Sequence, residues 1–383
     1  MDLALTAAQE EFRSRVCALL TDQETQAEAD RDRRLPPGAE PGLPTVYRRL
    51  GERGWLAPNW AREHGGAGLT LVEKALLTEE LIAHGVPDVA HTLSVDIVGL
   101  AVHLFGTAEQ QTALLPPLAR GEQIGCVLFS EPETGSDLGS LTTRAEPEGE
   151  GWRLYGRKTY SLKSHLGDFA LCAARTTTSP VRYHGITVFV LPLRTPGVDR
   201  RPLPVMTDDK FAELTLTGPL MTRADVLGEV DDGWRVINRV LSLERTGIEF
   251  EAKGRRLVDA LLAHAEAAGP QSPYAERLVA LDAEVRAGRL LAWRALSLLT
   301  GGDHDDPLYA MAKWHTAESA RAAALLSSSV CGPDAALHAR DAESPAGWTV
   351  ESSFRDAPGY TLASGTSEMM LALIASGALS LPT

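Results

Sequence analysis

Through most of the first third of the chain, apolar residues recur every three or four positions, the spacing of amphipathic helices. In "TAAQEEFRSRVCALL", Thr6 and Gln9 form a capping box, and Phe12, Val16, Leu19 and Leu20 follow on one face. "PTVYRRLGERGWL", "LVEKALLTEELIAHG" and "AEQQTALLPPLARG" carry the same period, each stopped by Gly or Pro. Between about Ile124 and Trp234 the pattern shortens to runs rich in β-branched and aromatic residues, such as "IGCVLF", "WRLYG", "FALCAART", "GITVFVLPL" and "AELTLTG", separated by Gly, Pro and Asp. These predict a β domain within a helical protein. Beyond Trp234, Val236, Val240, Leu243, Gly247, Phe250, Leu257 and Leu261 predict one long amphipathic helix. "YAERLVALDAEVRAGRLLAWRALSLL", "LYAMAKWHTAESARAAALLSSSV" and a helix after Thr366 complete a predicted four-helix bundle. "TGGDHDDP" reads as a loop and "HARDAESPAG" as a mobile one.

With 383 residues the chain is long enough for two or three structural units. The net charge of −14 argues against nucleic acid and anionic membranes as partners. No run approaches the roughly 20 apolar residues of a membrane helix. The cysteines Cys17, Cys126, Cys172 and Cys331 are far apart, with no CxxC pair, which argues against zinc and a disulfide framework; Cys126 and Cys172 fall inside predicted strands as core residues. The N-terminus lacks the basic-then-apolar form of a signal peptide, so a reducing cytoplasm is the expected compartment.

The stretch "CVLFSEPETGSDLGSLTTRAE" is a strand running into a turn where Gly135 leaves backbone N–H groups and hydroxyls open to a ligand. It resembles the acyl-CoA dehydrogenase signature. "GWRLYGRKTYSLKSHLGDFALCAART", "GWLAPNWAREHGGAGLT", "AKWHTAESARAAALLSSSVCG" and "RDAPGYTLASGTSEMM" match further landmarks of that family in order. The resemblance implies a mainly α fold with a central β-barrel: an N-terminal helical domain at 1–119, a middle barrel at 120–234 and a C-terminal bundle at 235–383. It also implies FAD between barrel and bundle, a homo-oligomer (dimer or tetramer) or a paralogous subunit, and electron-transferring flavoprotein as acceptor. The implied reaction is α-proton abstraction from an acyl thioester, on CoA or an acyl carrier protein, with β-hydride transfer to flavin. By this match Phe129, Ser130 and Ser136 touch flavin, Ser136 also the substrate's pantetheine side, and Gly365, Thr366, Ser367 and Glu368 form the flavin-phosphate segment. The "SGTSE" turn reads independently as a helix start whose N–H groups suit a pyrophosphate.

In many members a catalytic glutamate stands just before that Gly-Thr; here it is Ser364, and a lone hydroxyl is no base for a thioester α-proton. A branch of the family carries its glutamate on the long bundle helix before an arginine, which falls here on Glu244 and Arg245 of "SLERTG". Ile237, Leu241 and Ile248 share the face of Glu244, so partial burial would raise its pKa toward that of a working base. The Glu-Arg pair is also found in relatives with another base, which leaves Glu244 open to a purely structural pairing. Ser364 keeps the backbone N–H that polarises the thioester carbonyl in the family, and Ser242 is expected beside the substrate.

Several positions depart from the family pattern. Tyr160 matches the aromatic that stacks on flavin, but Leu162 replaces the threonine that bonds near flavin N5, and Ser161 substitutes for it only if the register slips. The "RxxFG" segment that reaches a neighbour's adenine is missing from "AEAAGPQSPYAERL", and "SSVCGPD" keeps only Ser329 and Gly332 of another contact. These losses favour two competing expectations, a weaker hold on FAD or a non-catalytic subunit in a mixed assembly. Some proteins of this fold are flavin monooxygenases, for which His165 and His184 are candidates, though a lone loop histidine is more often structural.

Overall fold

The computed structural model describes residues 4–36, 39–40, 42–87, 89–268, 272–302, 305–338, 340–345 and 349–381. The first helix, α1 (Ala7–Leu20), opens with the expected capping box, Thr6 accepting from the Gln9 N–H, and buries Phe12, Val16, Leu19 and Leu20. It packs on α4 (Leu71–Ala83), joined by α2 (Gln23–Arg33) and α3 (Pro44–Gly51). A π-helical segment, Thr92–Gly99, lies between α5 (Val89–His91) and α6 (Leu100–Phe105), with α7 (Ala108–Ala119) following, and buries Leu93, Val95, Ile97 and Val98 against the sheet. Its wider turn has no signal in a 3.6-residue period, and the sequence reading did not find it.

The strands are β1 (Gly125–Leu128), β2 (Arg144–Glu148), β3 (Gly151–Leu162), β4 (Phe169–Arg175), β5 (Ile186–Pro192), β6 (Val198–Leu203), β7 (Phe211–Met221) and β8 (Val226–Leu227). They form one open sheet in the order β6-β7-β3-β2-β4-β5-β8, with β1 parallel to β4, and not the closed barrel expected. The edge strand β6 explains the opening: "VDRRPL" is charged and contains Pro202, the composition that keeps a strand edge from pairing. In β4 and β5, alternate residues enter two different cores. Leu171, Val188 and Val190 face the helices; Cys172, Phe189 and Leu191 face β3 and β7. Burial on both faces is why these strands read as continuous apolar runs.

The predicted long helix is two helices. α8 (Gly233–Glu244) puts Val236, Ile237 and Val240 into the core shared with the sheet, and α9 (Ile248–Ala268) puts Leu257, Val258 and Leu261 into the bundle core. Gly247 makes the break: its φ of +82° is left-handed, and a Cβ there would lie 2.9 Å from Thr316 Oγ1 and 3.0 Å from the Ala312 carbonyl. With α10 (Ala275–Thr300), α11 (Asp306–Cys331) and α13 (Ser367–Gly377), α9 forms the bundle, flanked by α12 (Thr349–Tyr360). Of the two loops read in this part, Asp303–His304, Ala339 and residues 346–347 lie outside the described residues.

Candidate active site

Glu244 is the last residue of α8 and therefore stands where the sheet core ends and the bundle begins. Its two carboxylate oxygens are bonded differently. Oε1 accepts a 2.8 Å hydrogen bond from the Ser364 hydroxyl, while Oε2 is shut off from solvent and bonds no described group. Burial raises the Glu244 pKa above the ordinary carboxylate value, and the Ser364 bond and the Arg245 charge oppose this without cancelling it. A cavity of about 70 Å³ adjoins the carboxyl, walled by Leu71, Ala75, Leu100, Leu296 and Leu299 and by the Lys74–Asp96 pair at 3.1 Å. A buried acceptor without a described partner thus stands beside a cavity of mixed lining, where an incoming donor could meet it.

Ser364 itself sits at φ +56°, a conformation rare for residues other than glycine, and is held there from both sides. Arg245 Nε donates to the Ser364 carbonyl at 2.9 Å, and Lys313 Nζ donates to the carbonyls of Gly365, at 2.7 Å, and Tyr360, at 3.2 Å. Lys313 is wholly buried, and burial pulls its pKa down to about 8 against the upward pull of Glu244. Burial likewise lowers that of Arg245. The sequence reading missed Lys313. Its signal was a lone cation in the small-residue run "YAMAKWHTAESA", a place that demands buried acceptors.

The other expected residues divide into two groups. Tyr160 lies in a bulge of β3, where Thr159 and Tyr160 oppose the single residue Glu213; its φ is +53° and its side chain 66% exposed. Phe129 is buried, Ser130 half-buried and Ser136 exposed, in a turn where Thr134 Oγ1 is buried without a partner and a Cβ on Gly135 would meet nothing. That turn is fixed from below by the buried Lys158–Glu131 pair at 2.9 Å; burial works against ionisation of Glu131, but Lys158 and hydrogen bonds from Thr142 and Thr143 hold its pKa at about 2.

Two hydroxyls point elsewhere. Ser161 is buried and donates to the Val127 carbonyl, so the bulge does not offer it in place of the hydroxyl missing at Leu162, which packs against the core. Ser242 donates to Asp306 on α11 and not into the cavity. His165 bonds Glu40, and His184 is exposed. Cys126 and Cys172 are core residues.

"SGTSE" is a helix start, as read: Thr366 caps α13 by accepting from the Met369 N–H. Ser367 is occupied internally, its N–H on the Thr361 carbonyl and its hydroxyl on Glu318. Glu368 is exposed, and its carboxylate is held below the usual range by its own N–H and by Thr366, so an incoming anion there must displace it. Gly365, at φ +100°, lies so close to Met370 that a Cβ would come within 2.6 Å of its Cε. Elsewhere, Cys17, Glu80 and His84 bring possible metal ligands within 4.8 Å, but Arg13 already engages Glu80 at 2.6 Å. A larger cavity of about 280 Å³ between the N-terminal helices and the bundle contains none of the expected residues.

Helical, sheet and helical layers meet at the buried Glu244 carboxyl. The acyl-CoA dehydrogenase N-terminal, middle and C-terminal domain families match residues 6–122, 126–218 and 231–379. The chain is 35% identical over 68% of its length to acyl-CoA dehydrogenase FadE34 of Mycobacterium tuberculosis, spanning 37% of that relative. It is 30% identical over 86% of its length to the human mitochondrial short-chain specific acyl-CoA dehydrogenase, spanning 81% of it. Among solved structures, the Tcur3481-Tcur3483 steroid ACAD superposes with TM-score 0.89 at 25% identity over all of both chains. The chain belongs to the acyl-CoA dehydrogenase family of FAD-dependent oxidoreductases. The open turn at Phe129–Ser136, the orphaned Thr134 hydroxyl and the outstanding Tyr160 ring fit a flavin on the sheet side. Among the described residues no helix is long and apolar enough to cross a membrane.

Proposed function

We propose that the protein dehydrogenates an acyl thioester between its α and β carbons, with Glu244 as the base. The observation that carries this reading is the buried, unpartnered Oε2 of a residue that lines the cavity, one carboxylate oxygen being tethered and the other available. Glu244 takes the α proton onto Oε2; its raised pKa suits that transfer better than an ordinary carboxylate would. Bound FAD supplies the hydride acceptor. Tyr160 would stack on its ring, Phe129, Ser130 and Ser136 would line the ring's edge, and Gly365, Thr366, Ser367 and Glu368 would flank its phosphates once the Glu368 side chain moves aside. The Ser364 N–H is the donor for the thioester carbonyl. The acyl group is carried on CoA or on an acyl carrier protein, since both present the same pantetheine arm, and electrons leave to an electron-transferring flavoprotein.

A mixed assembly is the second reading, favoured by the loss of the "RxxFG" segment and by the paired Tcur3481-Tcur3483 relative. In it a paralogous subunit completes the adenine site. The test is anaerobic titration of the flavin-loaded protein with a panel of acyl-CoA and acyl-carrier thioesters. Bleaching of the flavin absorbance without oxygen is expected for at least one of them, and Glu244→Gln should abolish it while FAD stays bound. Full bleaching in Glu244→Gln would refute the assignment.

A further inference from the structure

The family's catalytic glutamate position holds a serine here, and that serine is aimed at the replacement acid. We infer that Ser364 is a positioning residue that selects Oε2 of Glu244 as the reacting oxygen, the tether being its 2.8 Å bond to Oε1. The inference rests on the reading of Glu244 as the base.

Three features of the geometry carry it. First, the donor is held in place at a cost: Ser364 adopts φ +56°, and strained non-glycine residues persist where surrounding contacts over-determine them, most often at functional sites. Secondly, those contacts come from two different elements. Arg245 grips the Ser364 carbonyl from the α8–α9 break, and Lys313 grips the next carbonyl from α11, so the hydroxyl is fixed relative to both the acid and the bundle. Thirdly, the tether leaves Oε2 buried and unpaired beside the cavity. A carboxylate free to rotate would present either oxygen; a tethered one presents one.

The bond also bears on the protonation state. A hydroxyl donating to a carboxylate favours its ionised form, whereas burial favours the neutral acid, and a neutral Glu244 accepts no proton. The charged groups around it are Arg245 beside it, Glu249 on α9, Asp96 on the π-helical segment, Lys74 on α4 and Lys313 on α11. They are of mixed sign, and the bond from Ser364 is the largest single influence that opposes burial.

The experiment is pH-difference infrared spectroscopy of the flavin-loaded protein, with the Glu244 carboxyl band assigned by its disappearance in Glu244→Gln. Ser364→Ala should move the midpoint of that band upward by about one to two pH units, the equivalent of one hydrogen bond to a charged group. Ser364→Gly should move it equally while relieving the left-handed strain, which separates loss of the hydroxyl from a change of backbone. With any thioester that bleaches wild-type flavin, the acid limb of kcat should rise by the same interval at little change in KM. Unmoved midpoints in both variants overturn the inference, whether or not a thioester bleaches. A moved midpoint upholds the tether even where no thioester reacts, an outcome that removes only the proposed reaction.

Discussion

Glu251 lies one turn into α9, 2% exposed, with neither carboxylate oxygen hydrogen-bonded; Arg289 is 3.7 Å away and already engaged by Glu79. Burial raises its pKa to about 7 from 4.5, with Glu79 adding to the rise and Arg289 opposing it. The folded state therefore binds a proton that the unfolded state releases between about pH 4.5 and 7, and stability must fall as pH rises through that window. The difference of 2.5 units is worth about 3 kcal/mol, and about 2 kcal/mol of it is lost between pH 5.5 and 8. Glu251→Gln keeps the shape and removes the titration. Urea unfolding of both proteins across that range should give curves that converge toward low pH and separate toward high pH, with the variant gaining about 2 kcal/mol relative to wild type. A constant difference at every pH would show that Glu251 does not titrate in this window and would refute the argument.

Two further substitutions test the site's architecture. Gly247→Ala puts a Cβ on a left-handed residue against the α11 backbone; a loss of about 1–2 kcal/mol from the backbone conformation alone is expected in urea unfolding, together with a larger proportional loss of flavin bleaching because Glu244 ends the helix before it. Tyr160→Ala removes an exposed ring and should change stability by no more than about 0.5 kcal/mol while weakening FAD retention on gel filtration, a split that a purely structural tyrosine would not produce.

The sequence made some of this architecture legible and hid the rest for identifiable reasons. Helix starts at Thr6 and Thr366 were readable because caps are local chemistry, and so was the Glu244 face, because Ile237 and Leu241 share its helix. The closed barrel was not readable: closure depends on whether two distant edges pair, and only the charged, proline-bearing β6 hinted that one does not. The break at Gly247 was misread because its residues continue the apolar period across the junction. Ile248 continues the spacing in sequence but starts α9 and packs with Ala75, Leu76 and Trp293 instead of sharing the Glu244 face, so the same spacing serves two cores. That coincidence has a structural consequence. An unbroken helix would satisfy the last α8 carbonyls with its own next turn and keep Glu244 in mid-helix, whereas the break ends α8 at the acid and brings Arg245 round to the Ser364 carbonyl. The glycine that defeats periodicity is thus the residue that lets acid, arginine and serine converge from positions 120 residues apart in the chain.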